Sequence, residues 1–219
     1  MVSTLTGPEL PARSGITKQL VVLLHGLGAD GNDLLGLAPL FAEALPDAHF
    51  IAPNAPEPCD MAPYGYQWFS LREWTMESKL RGTQAATPGL NAFLDGQLAR
   101  FSLDDSSLAL VGFSQGTMMG LYAALRRPRP VAGIVGYSGA LIGGASLAAE
   151  ITARPPVCLI HGEADQVVPF AALADAEDTL RANNVPVEAH ARPGLPHSID
   201  EAGIVLATAF LLKSFGFSA

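Results

Sequence analysis

The amino-acid sequence predicts an α/β fold: one mostly parallel, doubly wound sheet of about six or seven strands with helices on both faces. Short apolar segments of strand length alternate along the chain with segments of helical periodicity, which is the order found in such sheets. The strand segments are continuously apolar, as in L-V-V-L-L at 20–24, and this is typical of parallel strands buried on both faces. With 49% hydrophobic residues among 219, the chain can build a sizeable core, so we expect a single domain over residues 1–219.

Each predicted element follows from this alternation. Strands are predicted at 20–24, 49–52, 107–111, 131–137, 157–160 and 185–191, and an edge strand within 2–10 would be the seventh. Helices are predicted at 32–45, 89–101, 115–125, 170–183 and 199–215. Because ligands bind beyond the carboxyl ends of the strands in this class of sheet, we expect functional residues in the loops that follow strands.

Residues 53–87 interrupt the alternation and are predicted to form a loop insertion. They contain four prolines between 53 and 63 and both tryptophans, Trp68 and Trp74. A loop this long in a compact domain is more often a lid or a binding loop than a simple connection. Its aromatic part, 64–74, either lines an apolar substrate pocket or packs the loop onto the sheet.

Charge and composition exclude several classes of protein. The net charge is −8, from 13 basic against 21 acidic residues, which would repel the phosphate backbone of a nucleic acid. Cys59 and Cys158 give no disulfide framework and are expected to be free thiols. No signal peptide is visible in 1–15, and the longest apolar stretch, 203–212, is about half the ~20 residues that span a bilayer. We therefore expect a cytoplasmic protein without an integral membrane segment.

A candidate nucleophile lies in Gly112-Phe113-Ser114-Gln115-Gly116, between a predicted strand and a predicted helix. A serine in G-x-S-x-G at such a turn sits on a strained corner that exposes its hydroxyl. Glycines flank it because a Cβ atom there would collide with neighbouring backbone. The alternative is a plain strand-to-helix turn in which Ser114 only caps the helix.

A serine hydroxyl needs a base, and the base needs an acid to orient it. His197 lies in the loop after the last predicted strand, and Asp165 in the loop after the strand at 157–160. The order Ser114, Asp165, His197 is nucleophile, acid, base. Glu163 is the competing acid, and Asp200 is expected to cap the last helix. The other histidines are assigned structural roles: His25 and His161 in His-Gly turns, His49 and His190 in strands.

Acyl transfer also requires donors for the oxyanion that develops on the substrate carbonyl. One is the backbone N–H of Gln115, directly after the nucleophile. The other should come from the loop after the first long strand, and we assign it to the N–H of Leu27, with a neighbouring loop amide as the fallback.

The same loop supports a competing hypothesis. Residues 26–31 read G-L-G-A-D-G, a literal G-x-G-x-x-G between a strand and a helix, which is typical of dinucleotide-binding proteins. That motif is normally followed, about 20 residues on, by an acidic residue at the end of the second strand. Here the second strand ends in Ala52-Pro53-Asn54, without an acid, and no lysine lies four residues after a tyrosine.

Taken together, these motifs resemble the α/β-hydrolase superfamily and, within it, the phospholipase/carboxylesterase family of acyl-protein thioesterases and small bacterial carboxylesterases. The matching motifs are H-G-L-G-A-D-G-N-D-L at 25–34, P-N-A-P at 53–56, W-F at 68–69, G-F-S-Q-G at 112–116, H-G-E-A-D-Q-V-V-P at 161–169 and P-H-S at 196–198. The resemblance implies Ser114, Asp165 and His197 as the catalytic residues, no cofactor or metal, no large cap domain and often a homodimer. Thr117 departs from the family, where many members have a second glycine.

These observations predict a carboxylesterase that cleaves short- to medium-chain carboxylic esters of small molecules through an acyl-enzyme. Leu27, Trp68 and Met118 are the expected substrate-binding residues. An acyl-protein thioesterase or a lysophospholipase is the alternative. Two remoter hypotheses are a dinucleotide-binding protein and an inactive hydrolase fold that serves as a binding module, because fold alone does not fix function.

Overall fold

The structure is a computed structural model that describes residues 5–73 and 75–217. In this part of the chain the strands are β1 (Glu9–Leu10), β2 (Gln19–Leu24), β3 (Ala48–Ile51), β4 (Glu57–Pro58), β5 (Tyr66–Gln67), β6 (Leu108–Phe113), β7 (Gly133–Tyr137), β8 (Val157–Gly162) and β9 (Val187–Arg192). The α-helices are α1 (Gly31–Leu35), α2 (Ala38–Ala44), α3 (Met76–Phe101), α4 (Gln115–Ala124), α5 (Leu147–Glu150), α6 (Ala171–Ala182) and α7 (Glu201–Ser214), with short 3-10 helices at Asp105–Ser107 and Gly144–Ser146. None of these helices is both long and apolar enough to cross a membrane.

Seven strands form the central sheet in the order β1-β3-β2-β6-β7-β8-β9. Strand β1 pairs antiparallel with β3, and all other neighbouring pairs are parallel. This confirms the predicted mostly parallel sheet and its N-terminal edge strand, although residues 1–4 of that prediction lie outside the described residues. β4 and β5 form a separate two-stranded hairpin that the sequence did not predict.

Apolar side chains cover both faces of the sheet. In β2, Leu20, Val22 and Leu24 belong to one hydrophobic cluster, and Val21 and Leu23 belong to the other, as expected when successive side chains point to opposite faces. Helices α3, α4 and α6 supply side chains to the first cluster, and α2 and α7 supply them to the second. The doubly wound arrangement is therefore confirmed, and no large cap domain covers the carboxyl ends of the strands in the described chain.

The boundaries of the insertion were predicted incorrectly. Helix α3 begins at Met76, well inside the expected loop of 53–87, and continues through Pro88 for 26 residues. The side chain of Thr75 caps it by accepting a hydrogen bond from Ser78 N–H. The first half of α3 is largely exposed, so it lacks the apolar periodicity by which a buried helix is recognised. The predicted helix at 32–45 is likewise two short helices, separated at residues 36–37.

Arg127, three residues after α4, is a buried cation on which a stability prediction can be based. Its side chain is 4% exposed, and its guanidinium lies 2.6 Å from Asp105 and 2.7 Å from Asp95. Arg127→Met should lower the free energy of unfolding by about 3 kcal/mol, because it leaves the partly buried Asp105 carboxylate without its partner. Urea denaturation measures this change. The exposed Arg129→Met is the control, expected to stay within about 0.5 kcal/mol of the parent; equal effects of both variants would contradict the prediction.

Candidate active site

Ser114 occupies a sharp turn between β6 and α4. Its backbone has φ 54° and ψ −115°, a left-handed conformation that is costly for any residue with a side chain. A Cβ atom at Gly116 would collide with the carbonyl oxygen of Leu24, and one at Gly112 would collide with the backbone of Thr117. The expected reason for the two glycines is therefore confirmed: they let the turn pass close to neighbouring backbone.

His197 and Asp165 meet at the same end of the sheet. His197 lies in the loop between β9 and α7, and its Nδ1 is 2.7 Å from Oδ2 of Asp165, to which it donates a hydrogen bond when Nδ1 carries the proton. The other oxygen of Asp165, Oδ1, accepts from the backbone N–H groups of Val167 (2.8 Å) and Val168 (2.9 Å). This pattern leaves Nε2 of His197 available to accept a proton.

The Asp165 carboxylate is held in its ionised form. Burial acts to raise its pKa, but the hydrogen bonds from His197 and from the two backbone amides outweigh it, so the pKa of Asp165 lies below its ordinary value. The competing acid, Glu163, is exposed, and only its backbone N–H is engaged, with the carbonyl of Arg192. Asp200 caps α7 through the N–H of Gly203, as predicted.

Ser114 and His197 line a common hollow of about 200 Å³. Leu27, Gln115 and Met118 also line it, so four of the expected site residues meet His197 there. The Ser114 hydroxyl makes no hydrogen bond to His197 in the described chain; such contacts are often loose without substrate. The sequence did not single out several further lining residues: Gly26, Ala29, Asp33, Leu71, Phe113, Val167 and Val168.

In the loop after β2, the amide of Leu27 is uncommitted and lies beside Ser114. Gly28 N–H donates to the carbonyl of Tyr66 (2.9 Å) and Ala29 N–H to that of Gly26 (3.3 Å), whereas Leu27 N–H has no partner among the described residues. A neighbouring loop amide was the fallback for the second oxyanion donor, and the amides of Gly28 and Ala29 are both engaged in other hydrogen bonds. Leu27 N–H therefore remains the better candidate for a donor in this loop.

His25 holds this loop through two hydrogen bonds of its ring. Nδ1 of His25 lies 2.7 Å from the Gly26 carbonyl, and its Nε2 accepts a hydrogen bond from Ala55 N–H at 3.0 Å. Only the neutral ring, with its proton on Nδ1, can make both contacts. Burial lowers the pKa of His25, which favours that neutral form. The structural role predicted for His25 is confirmed.

Comparison with known proteins identifies the family. A sequence model of the family described as phospholipase/carboxylesterase matches residues 7–215, nearly the whole chain. The chain belongs to the phospholipase/carboxylesterase family.

Solved and characterised relatives agree with this assignment. The crystal structure of esterase PE8 superposes with a TM-score of 0.93 at 43% sequence identity, covering 96% of this chain and 99% of that one. Esterase YpfH of Escherichia coli is 27% identical over 91% of this chain and 82% of its own length. Acyl-protein thioesterase 1 of Schizosaccharomyces pombe is 28% identical over 90% of this chain and 91% of its own length.

Thr117, the departure from the family pattern, packs away from the hollow. Its Oγ1 donates to the carbonyl of Tyr137 (2.8 Å), which also accepts from Ser114 N–H (2.9 Å). The side chain fills the space beside Gly136 and Gly139, next to the end of β7. Thr117 thus ties the Ser114 turn to the neighbouring strand, and it is not among the residues that line the hollow with Ser114.

Trp68, an expected substrate-binding residue, does not line the hollow beside Ser114; it lines a separate one of about 340 Å³. Its side chain is buried and its Nε1–H donates to the carbonyl of His25 (3.0 Å). The side-chain amide of Gln115 holds this segment by accepting from Trp68 N–H (2.9 Å) and donating to the carbonyl of Phe69 (2.7 Å). The rings of Trp68 and Phe69 are both buried in the hydrophobic core. For these two rings the packing alternative holds, because they pack the insertion onto the fold. Tyr64 is exposed, and Trp74 lies outside the described residues.

The contacts of residues 26–31 also weigh against the dinucleotide hypothesis for this family member. A pyrophosphate would need free amides and a bare helix N-terminus. Instead, the Asp30 carboxylate caps α1, accepting from the N–H groups of Asn32 (2.8 Å) and Asp33 (3.2 Å). An anion at this position would meet that negative charge.

Proposed function

We propose that Ser114, His197 and Asp165 form the catalytic triad of this carboxylic ester hydrolase, a serine carboxylesterase that works through an acyl-enzyme. The observation that carries the proposal is the 2.7 Å contact between His197 Nδ1 and the buried Asp165 carboxylate, in a hollow that His197 shares with Ser114. Such a contact fixes the tautomer that leaves Nε2 free to act as a base.

The reaction proceeds in two steps. His197 Nε2 takes the proton of the Ser114 hydroxyl while Oγ attacks the ester carbonyl, and the same proton then passes to the departing alcohol. A water molecule enters, gives its proton to His197 and attacks the acyl-enzyme. The carboxylic acid leaves as the proton returns to Ser114. Asp165 stays ionised throughout and stabilises the imidazolium.

Two backbone amides stabilise the oxyanion formed in each step. The N–H of Gln115 is one of the first N–H groups of α4, which have no partner within the helix. Leu27 N–H supplies the second donor from the loop after β2. Because backbone provides both donors, side-chain substitutions at these positions change the hollow without removing the donors. The loss of one such donor costs about 3–4 kcal/mol of transition-state stabilisation.

The substrate class follows from a second, adjoining hollow of about 420 Å³. Met118, Val167 and Val168 line both hollows, so the second extends directly from the space beside Ser114. Its other lining is mostly apolar and includes Leu141, Pro169 and five alanines, with Lys79, Asp175 and Thr179 as its charged and polar members. Hydrocarbon surface of this kind favours apolar groups, which fits short- to medium-chain acyl esters. Acyl thioesters are the second candidate, because a thioesterase is among the relatives of the chain.

Filling the second hollow should change chain-length preference. Ala172 lines it on α6, and Ala172→Phe should lower kcat/KM for p-nitrophenyl octanoate about tenfold relative to the acetate, because the longer acyl group loses its apolar site. Ala174→Phe, at an exposed position of the same helix, is the matched control. An octanoate-to-acetate ratio that stays at the parent value in Ala172→Phe would place the acyl group elsewhere.

A fluorophosphonate probe tests the proposal directly and separates an enzyme from an inactive binding module. The probe reacts only with a serine that a neighbouring base activates. Mass spectrometry of the labelled protein should find one adduct, on the peptide that contains Ser114. Absence of labelling on the purified, folded protein would favour the binding module.

We further propose that the protein acts in the cytoplasm as a single-domain enzyme and forms a homodimer. The free thiols of Cys59 and Cys158 are both buried, and unpaired cysteines are typical of a reducing compartment. Burial raises the pKa of the Cys158 thiol to about 12, which makes it unreactive. Light scattering of the purified protein tests the dimer.

A further inference from the structure

A second histidine lies against the Asp165 carboxylate. His161 is the penultimate residue of β8, four residues before Asp165, and its Nε2 is 3.2 Å from Asp165 Oδ2 and 3.0 Å from the carbonyl oxygen of Val168. Its side chain is 2% exposed, and that of Asp165 is fully buried. Both neighbours of Nε2 are oxygen acceptors, so this nitrogen carries the ring proton.

His161 also closes a ring of contacts around the loop that follows β8. Val168 N–H donates to Asp165 Oδ1, and the carbonyl of the same residue accepts from His161. The Val168 segment is thus held from both sides, and the carboxylate that it supports cannot turn without breaking one of these contacts. The imidazole of His161 makes an edge-on contact with the ring of Phe170, and the two ring centroids are 6.0 Å apart.

Three hydrogen-bond donors hold the Asp165 carboxylate, and His161 lies beside it. Oδ1 accepts from the amides of Val167 and Val168, and Oδ2 faces His197 Nδ1 at 2.7 Å. Nε2 of His161 lies 3.2 Å from Oδ2, but its hydrogen bond goes to the Val168 carbonyl at 3.0 Å. Without the donor at His161, the Val168 carbonyl would lose this partner, and the segment whose amide holds Oδ1 would be less restrained.

We propose that His161 is a positioning residue for the hydrolytic reaction: its Nε2–H group holds the Val168 carbonyl, and the Val168 segment in turn orients the Asp165 carboxylate toward His197. The inference rests on the proposed function, since it assigns a role through the triad. It goes beyond the structural role that the sequence predicted for His161, a histidine that satisfies loop carbonyls.

Two substitutions separate this role from simple packing. Glutamine can place an N–H group where Nε2 of the histidine lies, whereas the shorter asparagine reaches only the position of Nδ1. With p-nitrophenyl acetate, His161→Gln should keep kcat within about threefold of the parent. His161→Asn should lower kcat about 10- to 100-fold with KM within about twofold, as expected when a buried carbonyl that positions the acid loses its hydrogen-bond donor. His190→Asn, on the neighbouring strand β9, is the control and should retain parental kinetics.

The outcomes are decisive in either direction. Equal kcat values for the Gln and Asn variants, both folded by thermal denaturation, would overturn the role of the N–H group. Nitrogen-15 NMR of the parent protein gives a test that needs no variant: Nε2 of His161 should carry a proton, and an unprotonated Nε2 would overturn the inference. Failure of Ser114 to react with a fluorophosphonate would overturn the proposed function, whereas equal Gln and Asn variants of a reactive enzyme would remove only the role of His161.

Discussion

Ser114→Ala is expected to lower kcat for p-nitrophenyl acetate by about 10⁴- to 10⁶-fold while the protein remains folded. The substitution removes the oxygen that we propose forms the acyl-enzyme and leaves the hollow, the two proposed oxyanion donors and the His197–Asp165 pair in place. Any remaining activity would come from water attacking a bound ester. Steady-state hydrolysis with circular dichroism measures both parts of this expectation.

Ser138→Ala is the matched control for that substitution. Ser138 is also a buried serine with positive φ, 46°, and it follows β7, the strand next to β6. It does not line the hollow beside Ser114, so its loss should leave kcat within about threefold of the parent. Parental turnover by Ser114→Ala would contradict the assignment of Ser114 as the nucleophile. A large loss of activity in Ser138→Ala would show that replacing a buried serine disturbs the fold, so that the loss in Ser114→Ala could not be assigned to the missing hydroxyl.

The second large effect is expected at the acid. Asp165→Asn should lower kcat about 10³- to 10⁴-fold, because an amide can donate to His197 Nδ1 and thereby favour the tautomer in which Nε2 cannot act as a base. The substitution also removes the negative charge that stabilises the imidazolium. Rates measured across pH 6 to 9 are needed, so that a shift of the pH profile is not mistaken for a loss of catalysis.

Glu163→Gln supplies the comparison for the acid. Glu163 is two residues away and exposed, its backbone N–H donates to the carbonyl of Arg192, and its carboxylate has no hydrogen bond among the described residues. Its neutralisation should change kcat by less than about twofold. If Glu163→Gln lost activity and Asp165→Asn did not, the contact between His197 and Asp165 would be structural. Glu163 would then be the acid in place of Asp165.

The sequence predicted the parts of this fold that local pattern determines. The strand at 20–24 is recognisable because every residue in it is apolar, and the turn at Ser114 because two glycines bracket a serine between a strand and a helix. The spacing of Asp165 and His197 after two later strands placed them at the same edge of the sheet. The structure brings these two side chains into contact, as that placement implies.

Other parts depend on contacts between distant segments and could not be predicted. The side chain of Gln115 hydrogen-bonds the backbone of Trp68 and Phe69, which are more than 40 residues away in the sequence. The motif G-F-S-Q-G alone does not indicate these contacts. Trp68 was consequently expected to line the pocket instead of supporting it. The start of α3 at Met76 was missed because only Thr83 is buried in the first half of this helix, which therefore has no apolar stripe. The second hollow depends on how α6 lies against the loop at 140–145, which sequence periodicity does not encode.

The backbone of Ser114 has a consequence for the evolution and engineering of this protein. A φ of 54° with ψ of −115° is comfortable only for glycine, and holding a serine there costs on the order of 1–3 kcal/mol. Replacing this residue by glycine would therefore relieve strain and raise the melting temperature, while it would remove the only oxygen able to carry the acyl group. A search that selects variants for heat resistance alone would drift toward that inactive sequence, so selection for turnover has to accompany any effort to make the enzyme more robust.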